Sequence, residues 1–199
     1  LVGREVSASS VIRPTTRRPL LLHAKTDGRW FADQRILPSL ARVRVEADAA
    51  PTPAEVKEAW TSIEIRECDS LQEGLALLDA PDIDSVVDDN RRLANQLLSA
   101  ADLWVFVTTA ARYADAKAWE VLDEAARRDI AVAVVLNRLP AAQGAQIEAD
   151  LRSHLAESSL GEAPVFQIPE LALEQGKLPA QYVAELKTWL NTLTSDAAS

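Results

Sequence analysis

Two short, almost wholly apolar runs, Leu103 to Thr108 and Ile130 to Leu136, constrain what this chain can fold into more than any other feature. Each is of strand length, is rich in aliphatic and β-branched side chains, and lacks the polar alternation of a strand with one wet face. Such runs suit central strands covered on both sides. Between them, Asp115 can cap a helix whose buried stripe is Trp119, Leu122 and Ala126. Its last turn sets Arg127 and Arg128 against the negative end of the helix. Strand, amphipathic helix and second buried strand make the repeating unit of an α/β fold with crossover helices.

The pattern extends in both directions. Leu20 to Ala24, Ser62 to Arg66, Gly74 to Leu78 and Val165 to Ile168 read as further strands. Val86, Val87, Asn90, Leu93, Ala94, Leu97, Leu98 and Ala101 keep helical spacing, with Ser85 as N-cap and Asp88 three places on. Ile147, Leu151 and Leu155 mark another helix. Val183, Leu186, Trp189, Leu190 and Leu193 mark a last one, docked rather than loose, with Ser195 to Ser199 as a frayed end. The span from Asp27 to Thr61 is the least legible. The expectation there is a mobile insertion with a short helix around Ile36 to Val43 and a turn at Pro51-Thr52-Pro53.

With 199 residues, 48% of them hydrophobic, the chain can bury a substantial core, and length favours one domain. A net charge of -9 argues against a nucleic-acid partner, because duplex binding depends on cationic side chains that displace counterions from phosphates. The longest apolar run, Ile130 to Leu136, is far below the roughly 20 residues that span a bilayer. The single cysteine, Cys68, fits a reducing cytoplasm. His23 and His154 offer no zinc spacing, and no Gly-x-Ser-x-Gly elbow is present.

Three segments carry candidate chemistry: Arg13-Pro14-Thr15-Thr16-Arg17-Arg18-Pro19-Leu20, Leu77-Leu78-Asp79-Ala80-Pro81-Asp82 and Val134-Val135-Leu136-Asn137-Arg138. In that order they resemble the second, third and fourth sequence boxes of a bacterial P-loop GTPase domain of the dynamin-like or Era-like kind. The first box, the phosphate-binding loop, is not among them. The resemblance implies a three-layer, Ras-like α/β domain over residues 1–194, with a mainly parallel sheet flanked by helices. Leu1-Val2-Gly3 resembles the tail of the helix that follows the loop, with Gly3 as its C-cap. The P-loop strand is then expected upstream of residue 1, belonging between the Gly74 to Leu78 and Leu103 to Thr108 strands. Without it the 199 residues are not expected to fold stably alone. Each buried unsatisfied amide costs on the order of 1–3 kcal/mol, against roughly 5–15 kcal/mol for a whole domain.

The resemblance also assigns roles. Thr16, or Thr15 by a one-residue shift, supplies a switch hydroxyl to Mg²⁺, and Asp79 contacts the same ion through water. Asp82 stands where the family has a glycine whose backbone N–H meets the γ-phosphate. Asn137 fastens the base-binding loops and Arg138 stacks on the base, whereas Pro140 cannot imitate the acid that reads guanine. Tyr113-Ala114-Asp115-Ala116 resembles the family's Ser-Asp-Ala, and Ile168-Pro169-Glu170 occupies the fifth box by order only.

Each segment also has an ordinary structural explanation. Asp82-Ile83-Asp84-Ser85 suits a turn and helix cap, or Asp79, Asp82 and Asp84 hold a hard cation directly. The Arg- and Pro-rich loop needs no ligand, and Asn137 to Pro140 suits a simple turn. What the resemblance implies is a Mg²⁺-dependent switch that binds and hydrolyses GTP with water as nucleophile. It implies a homodimer through the nucleotide face, action in membrane remodelling or septation, and a place in the cytoplasm, peripheral to the inner face of the membrane through other domains. The chain as given is expected to be inactive. The alternatives are a non-hydrolysing scaffold and an ATP-using partitioning or transport ATPase.

Overall fold

A strand with every residue buried needs a layer on each face, and Leu20–His23 (β1) is such a strand. In the computed structural model, which describes residues 1–3, 18–46, 61–80 and 88–197, β1 lies inside a four-stranded sheet with Ala41–Val45 (β2), Ser62–Glu67 (β3) and Ala76–Asp79 (β4). The strand order is β2-β3-β1-β4. β1 and β2 each run parallel to β3, whereas β4 runs antiparallel to β1. This sheet belongs to the first of two compact units, Leu1–Ala100 with Lys187–Ser199.

The alternation of β1 and β3 sorts the core into two sides. Leu21, Ile63 and Ile65 pack with Leu93 and Leu97, from the helix Asp88–Ser99. That face of the helix follows the spacing expected from the sequence, while Ser85, Val86 and Val87 lie outside the described residues. On the other side Leu20, Leu22 and Cys68 pack with Val2, Leu71 and Leu77. The register pairs Leu20 with Glu64 and Leu22 with Arg66, so this second side also holds a buried ion pair, Arg66 Nη2 to Glu64 Oε1 at 2.6 Å. Gly3 takes a left-handed φ of 71°, and no helix is described ahead of it for it to cap.

The stretch from Asp27 onward corrects the sequence reading. No helix covers Ile36 to Val43. One α-helical turn at Gly28–Phe31 (α1) is followed by bends and turns and then by the strand β2. Two local causes are visible. Leu37 adopts φ 53° just before Pro38, which breaks any helix there. The Arg42 guanidinium, pointing back from β2, donates to the carbonyls of Asp33, Ile36, Leu37 and Leu40. Residues 33–40 are thus folded onto a side chain, while residues 47–60 of the expected insertion lie outside the described residues. The turn expected at Pro51 to Pro53 lies outside the described residues.

The second unit, Ala101–Leu186, contains Leu103–Thr109 (β5), Ala131–Leu139 (β6) and Val165–Pro169 (β7) in an all-parallel sheet of order β5-β6-β7. Numbering the helices in chain order, Asp88–Ser99 is α2, Ala116–Arg127 is α3, Gly144–Glu157 is α4 and Ala184–Ala197 is α5. Val132 to Leu136 in β6 are all buried, as their composition predicts. β5 is not deep. It is an end strand of the three, and Val107 is 59% exposed. α3 buries Leu122, as expected, and Ala125, whereas Trp119 and Ala126 are half-buried. α4 buries Ile147, Leu151 and Leu155. α5 buries Leu186 and Leu190 and runs on to Ala197, past the start of the expected frayed end.

Candidate functional site

Asp79 ends β4 and is exposed, following the half-buried Leu77 and Leu78. An exposed carboxylate at a strand end is a suitable hard oxygen donor for Mg²⁺, directly or through water. Because β4 is antiparallel to β1, its carboxyl end meets the amino end of β1, and Asp79 stands opposite Leu20. Leu20 follows Thr16 by four residues in the chain. Thr15, Thr16, Asp82 and Asp84 lie outside the described residues, as do Arg13 and Arg17.

Arg18, in the same Arg- and Pro-rich segment as Thr16, has a structural task. Its Nε donates to Ser62 Oγ at 2.8 Å, and Pro19 O accepts from Glu64 N at 2.9 Å, so the entry to β1 is tied to the start of β3. The strand it enters is interior, not an edge.

Asn137 and Arg138 lie near the carboxyl end of β6, the end at which open parallel sheets hold their ligands. Here the ladder with β7 slips: Leu136 pairs with Gln167 and Leu139 with Pro169, which leaves one extra residue on β6. Arg138 is exposed with φ 53°, and its N–H donates to Asn137 Oδ1 at 3.0 Å. Such a bulge turns side chains out of the regular alternation and is common beside binding sites. Sequence reasoning missed it, since an Asn-initiated turn and an Asn-initiated bulge share the same residues. Gly144 starts α4 close beneath, where an added Cβ would come within 3.3 Å of Leu139 Cδ2.

After β5, Asp115 caps α3 by accepting from Lys117 N at 3.0 Å, as the sequence predicts. The residues beside it form a network. Trp119 Nε1 donates to Tyr113 O at 2.9 Å, Tyr113 Oη donates to Asp150 Oδ2 at 2.8 Å, and Trp119 lies 5.5 Å from the His154 ring. The bond to Asp150 raises the Tyr113 phenol above its usual value, with burial adding to the same effect. His23 is buried. It is stacked on Phe31 at 5.3 Å, with Nδ1 2.7 Å from Ala24 O. Among the described residues no group of three or more His, Cys, Asp or Glu side chains converges to hold an ion.

The two units define an α/β protein with one mixed sheet and one parallel sheet flanked by helices. Asp79 and Asn137 each occupy a strand end within their own unit. Comparison of the chain with protein-family models, with curated proteins and with solved structures found no match in any of the three. Among the described residues no helix is long and apolar enough to cross a membrane.

Proposed function

We propose that this chain is the GTP-binding and hydrolysing domain of a dynamin-like protein, a Mg²⁺-dependent nucleotide switch. The observation that carries this reading is the antiparallel register of β4 with β1, in which Asp79 stands opposite Leu20, four residues after Thr16 in the chain. Leu20 and Asp79, about 60 residues apart in sequence, thereby become neighbours in one sheet, which supports a reading in which the segments that hold them share an ion on the terminal phosphates. The bulge at Asn137 and Arg138 supports a base-binding role, since it sits at a carboxyl strand end and exposes a planar guanidinium.

Bound Mg²⁺ would neutralise charge developing on the transferred phosphoryl group. Asp79 would orient that ion through water, and Thr16 would offer a neutral oxygen that lets go after hydrolysis. Arg138 would hold the base by stacking. Pro140 offers no carboxylate for guanine, so selection over adenine is expected to be shallow.

The test is phosphate release from GTP with Mg²⁺ by the full-length protein. Thr16→Ala and Asp79→Ala should each lower turnover by about a hundredfold or more, given that metal-borne charge stabilisation is worth several kcal/mol. Turnover by Asp79→Ala equal to that of the parent protein rejects the reading. A non-hydrolysing scaffold is the second reading, favoured by Asp82 and Pro140 at two family positions, and it predicts nucleotide binding with no phosphate release.

A further inference from the structure

Tyr113, Asp150 and His154 come together within the second unit, and the nucleotide reading gives none of them a role. Asp150 and His154 stand one turn apart on α4, with side chains 49% and 44% exposed. Asp150 Oδ2 lies 2.8 Å from Tyr113 Oη and 3.7 Å from His154 Nδ1, so one carboxylate oxygen is in reach of both a phenol and an imidazole. Two donors on one metal ion, each about 2 Å from it, are at most about 4 Å apart. Both spacings fall inside that limit. The surroundings hold the donors in place. Tyr113 N donates to Thr109 O at 2.9 Å and Tyr113 O accepts from Trp119 Nε1 at 2.9 Å, which fixes the main chain on both sides of the phenol. Trp119 lies 5.5 Å from the His154 ring, and His154 Nδ1 is 2.9 Å from Asp150 O. Outer contacts of this kind orient ligands before a metal arrives.

We propose that Tyr113 Oη, Asp150 Oδ2 and His154 Nδ1 bind a divalent transition-metal ion, with the cupric ion as the best fit and water completing its coordination. One nitrogen and two anionic oxygens make the mixed set that suits tetragonal Cu²⁺, the ion that such sets hold most tightly among the first-row divalent metals. An imidazole donor makes the cluster a poor Mg²⁺ site, since that ion asks for oxygen throughout. The phenol is essential to the count, because among the described residues no third His, Cys, Asp or Glu joins Asp150 and His154. In the free protein Asp150 holds the phenolic proton on Tyr113. A cation set between the two oxygens reverses that balance, and the proton leaves to solvent as the ion binds. A net charge of -9 favours the approach of a cation. The inference goes beyond the nucleotide reading and does not depend on it.

The experiment is titration of the full chain with Cu²⁺, followed by visible absorption and electron paramagnetic resonance. The chain has two histidines and His23 is only 3% exposed, so imidazole coupling on bound copper reports His154. One equivalent should give a phenolate-to-copper charge-transfer band and coupling to a single imidazole nitrogen. Tyr113→Phe should remove the band and His154→Asn the coupling, each weakening binding about tenfold or more. Glu73→Gln, in the first unit, should change neither signal, and matching circular dichroism would show that all variants fold. A large excess of Mg²⁺ should not displace the copper, which separates this site from the one proposed around Asp79. Absence of the band in the parent chain overturns the proposal, as does a band that survives Tyr113→Phe, coupling that survives His154→Asn, or displacement by Mg²⁺. Parent-like copper affinity in the variant carrying both changes assigns the ion to adventitious donors and overturns it too.

Discussion

Arg66 carries a full charge into a core where its side chain is 1% exposed, and Glu64, two residues back on the same face of β3, meets it through both Nε and Nη2. Removing Glu64 takes this carboxylate away from an almost wholly buried guanidinium. Glu64→Ala is therefore expected to cost about 3–5 kcal/mol in urea unfolding, and Glu64→Met with Arg66→Met much less than the single change. Tyr113 makes a second residue-level prediction. Asp150 holds its phenolic proton, so the folded chain keeps that group neutral to higher pH than usual. Any stability from this bond is present below the ordinary phenol range and is lost as pH rises through the raised value. In a phenolate absorbance titration Asp150→Ala should lower the pH at which Tyr113 ionises. The candidate Asp79 was legible in the sequence as the polar end of an apolar run, whereas the Arg66–Glu64 pair was not. An alternation of Ile and charge in a strand does not say that the charged face will be covered.

At the scale of elements, the ends of α3 are both specified locally. Asp115 satisfies an otherwise orphaned N–H at the start, and Asp115→Ala should lower thermal stability by about 1 kcal/mol. At the other end Asp129 takes φ 54°, with Asp129 N donating to Ala126 O at 3.1 Å and Ile130 N to Ala125 O at 3.0 Å. This is a left-handed helix stop made without glycine. Asp129→Gly relieves the strain of a side chain in that region and should stabilise by about 1 kcal/mol or less, read as a higher melting temperature. α4 stops the same way at Ser159, φ 63°, where Leu160 N donates to Leu155 O at 2.8 Å. The helices were legible because their periodicity and caps are contained within a dozen residues. β2 was missed because its alternation, Ala41 to Val45, is short and follows apolar residues that imitate helical spacing.

For the molecule as a whole, a ligand that binds only the folded protein raises its apparent stability, by about 2.7 kcal/mol at a concentration a hundred times the dissociation constant. GTP with Mg²⁺ should raise the melting temperature of the full-length protein, ATP with Mg²⁺ should do so nearly as well, and Asp79→Ala should blunt both shifts. A melting temperature indifferent to either nucleotide counts against the switch reading. The sequence by itself determined the positions of β1, β3, β5, β6 and β7 and the buried faces of α2 and α4, because hydrophobic periodicity is a local signal of which side turns inward. Only the tertiary structure decided that β4 runs antiparallel beside β1, so that Asp79 meets Leu20, that β5 ends its sheet, and that β6 bulges at Asn137 and Arg138. Those outcomes depend on pairings between strands far apart in the chain. The competing partners differ in backbone register and loop closure, and no single segment records either.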